Sequence, residues 1–157
     1  MLSKLAAVLT TVFGVTFWLN GGNDAPANII SNSVITTSSI DPSGTHVGDL
    51  TYYTPGLGAC GRTNAPTDMI AAISHKLFDN YPGYDGTNPN NNPVCGRTAV
   101  VTHGGKTIRV KVVDRCEACD LWDLDFSPTA FEKFAPLGVG RLHGAKWYFH
   151  KRSGGSD

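Results

Sequence analysis

The chain has 157 residues, with 13 basic side chains against 13 acidic ones and only 17% charged residues. Without a basic excess to neutralise phosphates, nucleic acid is excluded as an expected partner. The length argues for one domain with short additions, and 18 glycines favour many short strands over long helices.

Lys4 precedes an apolar run from Leu5 to Leu19, and polar Asn20-Gly-Gly-Asn follows. That run is too short for a comfortable membrane span and has the layout of a secretory signal peptide over residues 1–27. Ala25-Pro26-Ala27 supplies the small-residue cleavage pattern. The mature protein is therefore expected to be extracellular, with no membrane attachment once the signal is cut. Residues 28–45 are rich in Ser, Thr and Asn without an apolar period and read as a flexible linker. The folded domain is expected over 46–150, with a tail over 151–157.

Within the domain, Val47–Thr54 reads as a strand and Met69–Ser74 as a short buried one. Residues 79–93 are dense in Asn, Pro and Gly and read as a loop. Arg97–Thr102 and Lys106–Asp114 flank His103-Gly104-Gly105, a hairpin turn that needs positive φ angles. Ile108, Val110 and Val112 alternate with Thr107, Arg109 and Lys111, so one face of that strand is buried. Ser127-Pro128 starts a helix, Ser as its N-cap and Pro in its first turn. Phe131 and Phe134 face inward, and Pro136 and Gly138 end it. Lys146–His150 closes the domain as a strand.

The four cysteines, Cys60, Cys95, Cys116 and Cys119, form an even set in an exported chain and predict two disulfides. Cys116-x-x-Cys119 also has zinc-ligand spacing, but Cys60 and Cys95 stand apart with no second such pair. Three pairings are open. His46, His103, His143 and His150 fall at no ligand spacing and read as surface residues. No metal and no cofactor are expected.

The chemistry-bearing segment is Val112-Val-Asp-Arg-Cys-Glu-Ala-Cys-Asp-Leu-Trp-Asp-Leu-Asp-Phe-Ser127. Asp114 ends an alternating strand, and Asp125 sits just ahead of the capped helix. Two such carboxylates can converge on one cleft, the arrangement sugar chemistry uses for a proton donor and a base or nucleophile. The structural alternative has Asp114 bonding turn amides and Asp125 favouring the helix N-terminus. Asp120 and Asp123 read as solvated.

Gly48-Asp-Leu-Thr-Tyr-Tyr-Thr54, Gly58-Ala-Cys-Gly61, Asp68-Met-Ile-Ala-Ala-Ile-Ser-His75, Asn92-Pro-Val-Cys-Gly96, Val113-Asp-Arg-Cys116 and Asp123-Leu-Asp-Phe-Ser-Pro128 follow one another in order. Together they resemble the double-psi β-barrel family of expansins, barwin-like proteins, rare lipoprotein A and the fungal single-domain loosenins, across about Val47 to Phe149. The resemblance implies a mainly β, six-stranded barrel with one or two short helices, disulfide-stapled; a monomer is expected. It implies a polysaccharide groove in which Thr51, Asp114 and Asp125 line the floor and Tyr52 or Tyr53 stacks on sugar rings, the alternative for the tyrosines being ordinary packing. It also favours Cys60–Cys95 and Cys116–Cys119 as the pairs.

The function implied first is loosening of a wall polymer (glucan, chitin or peptidoglycan) without net hydrolysis, with Asp125 and Asp114 as the acting carboxylates. The second is binding of a secreted protein, as in family members that inhibit papain-type cysteine proteases, through loops 54–66 and 79–93. A glycosidase or lytic transglycosylase ranks last. Hydrolytic relatives place an Asp base where this chain has Thr54, and the His of rare lipoprotein A finds only His75, two positions late.

Overall fold

A computed structural model describes residues 40–151. The expected signal peptide, residues 28–39 of the expected linker and the tail beyond Lys151 lie outside the described residues. Six strands close into a barrel: β1 (His46–Tyr52), β2 (Ile70–Ser74), β3 (Thr98–His103), β4 (Lys106–Cys116), β5 (Leu124–Phe126) and β6 (Leu142–Phe149). Their order around the barrel is β1-β5-β2-β4-β3-β6. The pairs β1/β5 and β2/β4 are parallel and the others antiparallel. Closure leaves no free edge in this sheet among the described residues.

The period-two reading of β4 holds: Val110 and Val112 are buried while Thr107, Arg109 and Lys111 are exposed. The β3–β4 hairpin turns at Gly104 and Gly105, with φ of 56° and 77°, a conformation that side chains with a Cβ rarely adopt. Inside the barrel, Leu50, Ile73, Val101, Val112, Phe126 and Trp147 are essentially inaccessible to solvent. Trp147 buries its ring and still satisfies its indole N–H, which donates to the Trp122 carbonyl at 2.8 Å.

The sequence reading missed two elements. β5 has three residues, too few for an alternation to show, and it puts Asp125 on a strand rather than in a helix approach. The helix α1 (His75–Asp79) is a single five-residue turn capped by Ser74, with Leu77 and Phe78 buried against the barrel. The expected helix is α2 (Pro128–Glu132), with Pro128 in its first turn. It ends at Glu132, ahead of the expected stop, and a 3-10 turn at Leu137–Val139 follows Pro136. Strand β6 starts at Leu142, four residues before the expected Lys146.

The Ser127 hydroxyl accepts from the Ala130 N–H and donates to the Asp68 carbonyl, which ties α2 to the chain entering β2. Ser127→Ala removes the cap and orphans a carbonyl. A loss of about 1–2 kcal/mol is expected, measurable in urea titrations with an unchanged slope.

Two polar residues read as surface groups are integrated into the fold. His46 is only 8% exposed. Its ring stacks on Trp122 at 3.8 Å and its Nε2 donates to the Pro42 carbonyl at 3.1 Å. Asp123 accepts from the backbone N–H of Asp49 at 2.8 Å and of Asp120 at 3.2 Å, bracing the turn ahead of β5. Asp120 does project into solvent, where it pairs with Lys76. The described end of the expected linker also meets the barrel, since Ile40 packs against the core.

Both disulfides pair as the resemblance implied: Cys60 with Cys95 and Cys116 with Cys119.

Candidate functional site

The barrel order brings together four strands whose registers align one row of side chains. Thr51 on β1 pairs with Asp125 on β5, Asp125 pairs with Ala72 on β2, and Ala72 pairs with Asp114 on β4. Their sequence neighbours Leu50, Leu124, Phe126 and Ile73 fill the barrel interior. Period two therefore turns this row outward. The register shift between Ala71 and Ala72 matters, because it sets Asp114 rather than Val113 opposite Ala72. Alanine between the two acids leaves the floor of the site low.

Each acid has a distinct environment. The Thr51 hydroxyl donates to Asp125 Oδ1 at 2.6 Å. Burial holds the Asp125 carboxyl above the usual carboxylate range, and the nearby Asp114 charge pushes the same way; the Thr51 hydrogen bond and the Arg141 charge oppose without cancelling. The Cys116–Cys119 disulfide contributes to that burial, since both sulfurs lie within 4.8 Å of an Asp125 oxygen. Their positions relative to Asp125 match a three-ligand metal set. With each sulfur bonded to the other, they act as a wall of the site and not as thiolate ligands.

Asp114 is an anchored acceptor. Its Oδ1 receives the N–H groups of Ala59 and Arg115, both at 2.8 Å. The alternative of a turn-bonding aspartate is thus realised at Asp114 while the residue keeps its place in the row. Tyr53 joins the site through its phenol. Burial raises its pKa, and the charge and hydrogen bond of Asp114 and the charge of Asp125 add to the rise, so it stays a neutral donor. Tyr52 is 37% exposed and its ring packs against Phe131 with centroids 5.2 Å apart. Tyr53 therefore stands beside the acids, whereas Tyr52 is the register partner of Phe126 and packs on Phe131, on the opposite side of β1 from Thr51.

Arg141 was not marked by any motif. It pairs with Asp49 at 3.2 Å and Asp123 at 3.5 Å, and its charge reaches Asp125. His143 shares the Asp49 carboxylate at 2.7 Å. Arg141 follows a turn before β6, and only the β1–β6 pairing brings it to this side of the barrel, so linear sequence carries no signal for it. Thr54 is exposed and supplies no carboxylate.

No family model matches the chain. The papain inhibitor of Streptomyces mobaraensis is 41% identical over 105 residues, a match spanning 65% of this chain and 69% of that protein. A homolog of the allergen Asp f 7 from Arthroderma benhamiae is 35% identical over 115 residues, and the chain spans only 38% of its length. Among solved structures, the Streptomyces papain inhibitor superposes with a TM-score of 0.61 at 38% identity, covering 71% of this chain and 99% of that one. A Clavibacter michiganensis expansin, solved in complex with cellohexaose, gives a TM-score of 0.54 at 25% identity, covering 72% of this chain and 54% of the expansin.

Proposed function

The chain belongs to the double-psi β-barrel family that includes the Streptomyces papain inhibitor and is structurally related to bacterial expansin, and from that premise we propose that it is an extracellular protein that binds wall polysaccharide and loosens it without net hydrolysis. The observation that carries this reading is the row Thr51–Asp125–Ala72–Asp114 across four strands, with one half-buried acid held by Thr51 and one anchored acceptor. The expansin complexed with cellohexaose supports an extended sugar chain as the occupant.

The roles follow from the groups. Asp125, whose burial favours its protonated form, donates to an oxygen of the sugar chain when it carries the proton, and Thr51 keeps the carboxyl oriented. Asp114 accepts from sugar hydroxyls with its position fixed by two amides. Tyr53, beside both acids, offers an aromatic ring and a phenol to a pyranose. Each contact replaces one that the sugar chain makes with its neighbours in the wall. Hydrolysis also needs a second carboxylate free to activate water or attack carbon. Asp114 is committed to backbone amides and position 54 carries a hydroxyl, which disfavours that step.

A pull-down of the mature protein on cellulose, chitin and peptidoglycan, with reducing-sugar release assayed in the same tubes, tests the proposal. Binding to at least one polymer without sugar release is expected. Release of soluble oligosaccharides would replace it with a glycosidase or lytic transglycosylase, and no binding to any of the three would remove the polysaccharide reading.

A second reading has its own observation, the 41% identity to a papain inhibitor over 105 residues. On that reading the chain blocks a papain-type cysteine protease through the loops outside the groove.

A further inference from the structure

The loop after β1 is braced from every side. Leu57 and Thr63 form an antiparallel bridge, Gly58 N–H donates to the Arg62 carbonyl at 3.0 Å, and Asn64 N–H donates to the Gly56 carbonyl at 3.0 Å. The base is fixed to β4: Cys60 N–H donates to the Val113 carbonyl at 3.1 Å and Ala59 N–H to Asp114. Gly58 packs so closely that a Cβ there would meet the Val113 carbonyl oxygen at 2.5 Å. A second loop is joined to this one by the Cys60–Cys95 bridge and by Asn90, whose side chain fills the space where a Cβ on Gly61 would lie, 2.7 Å away.

On this fixed body Leu57 is 76% exposed, the highest value among the exposed large apolar side chains of the described residues. Between the two loops and β4 lies an open polar cavity of about 420 Å³ lined by Arg62, Asn90, Asn91, Asn92 and Lys111, and Arg62 precedes Thr63, the bridge partner of Leu57. The charged heads of Arg62 and Lys111 make no hydrogen bond or ion pair with another described residue. An isolated exposed leucine is ordinary on a protein surface. An exposed leucine held at the tip of a doubly tethered loop, with a polar rim beside it, has the anatomy of an anchor and rim with its ordering entropy already removed.

We propose that the loops 54–66 and 79–93, joined through the Cys60–Cys95 bridge just beyond the second, form one protein-docking surface, with Leu57 as the anchor that enters an apolar pocket in the cleft of a papain-type cysteine protease. The proposal rests on the second reading above and adds the residue that makes the contact. It adjoins the polysaccharide row at its base, where Ala59 N–H donates to Asp114, while Leu57 projects into solvent from the loop.

Papain inhibition by the full disulfide-bonded protein, measured on a small peptide substrate, tests it with Leu57→Ala, Leu57→Asp and a control, Val139→Asp. Val139 is 51% exposed and belongs to neither loop. The wild type and Val139→Asp inhibit alike. Leu57→Ala raises the inhibition constant about thirtyfold, as for an interface hot spot, and Leu57→Asp abolishes inhibition. All variants keep the wild-type thermal midpoint within a degree or two, because Leu57 has little packing to lose. Inhibition by Leu57→Asp at wild-type strength would overturn the anchor and leave the inhibitor reading standing. A wild type that does not inhibit papain would overturn both.

Discussion

Replacing both Cys60 and Cys95 with alanine is expected to destabilise the domain by about 3–4 kcal/mol, against about 1.5 kcal/mol for the same change at Cys116 and Cys119. The contrast comes from loop length. The first bridge closes 35 residues of sequence separation and the second only 3. A cross-link lowers the entropy of the unfolded chain roughly with the logarithm of the loop it closes. For a domain of this size the larger loss is roughly 15 °C in thermal midpoint, and calorimetry of the two double variants measures it directly. Equal losses would show that native-state contacts, and not chain entropy, set the contribution of the bridges. The longer bridge also joins the two loops on which Leu57 and the polar cavity stand. Its removal is therefore expected to weaken any loop-borne binding more than binding at Thr51 and Asp125.

The shorter bridge has the opposite balance. It constrains little of the unfolded chain, yet its sulfurs border the Asp125 carboxyl. Opening it admits water to that face. The Cys116→Ala/Cys119→Ala variant is thus expected to bring the Asp125 pKa down toward the ordinary range, an effect readable by carboxyl-carbon NMR titration and separable from its small effect on the melt.

What was legible in the sequence follows the length scale of each signal. The alternation Thr107 to Val112 has enough residues to declare a strand and its buried face, and the Ser127-Pro128 pair declares a helix start. A three-residue strand and a five-residue helix have no room for a period, so β5 and α1 escaped notice. The order of the barrel was available only through the resemblance, because the parallel pairs β1/β5 and β2/β4 join segments far apart in the chain. The site was legible by residue type but not by arrangement. Thr51, Asp114 and Asp125 do share a row, yet nothing in the linear chain places Ala72 between the acids. Nor does it say that Asp114 is held by the amides of Ala59 and Arg115, or that Arg141, just ahead of β6, reaches the same side. His46 and Asp123 misled for a related reason. A polar side chain reads as solvated until its partner is known, and theirs are Trp122, the Pro42 carbonyl and the backbone amides of Asp49 and Asp120.

Asp125→Asn separates the two things that the carboxyl does. For the fold, the wild-type group favours its proton because burial disfavours the charge. Below pH 3.8 it is protonated in the folded and unfolded chain alike. As pH rises from there through the raised value, the unfolded chain releases the proton more readily, so the folded state loses stability across that window. Asparagine carries no charge at any pH and can still accept the Thr51 hydrogen bond. The variant is expected to show no such decline and to be at least as stable as the wild type at neutral pH, in thermal melts taken across the acidic range. For the proposed function the sign is the same, but the cause is the proton itself. Protonated Asp125 can share its proton with a sugar oxygen and the ionised form cannot. Loosening by the wild type should therefore be strongest at acidic pH and fall as pH rises through the raised value. The asparagine variant should bind the polymer within a few-fold of wild type, since its amide N–H still donates to the sugar oxygen, and should have lost at least about tenfold in loosening, with no pH dependence left, because an amide cannot give up its proton to that oxygen. Creep or viscosity measurements on the bound polymer across pH decide the matter. Full loosening by the variant would assign the work to shape and to stacking on Tyr53 and leave Asp125 a structural partner of Thr51.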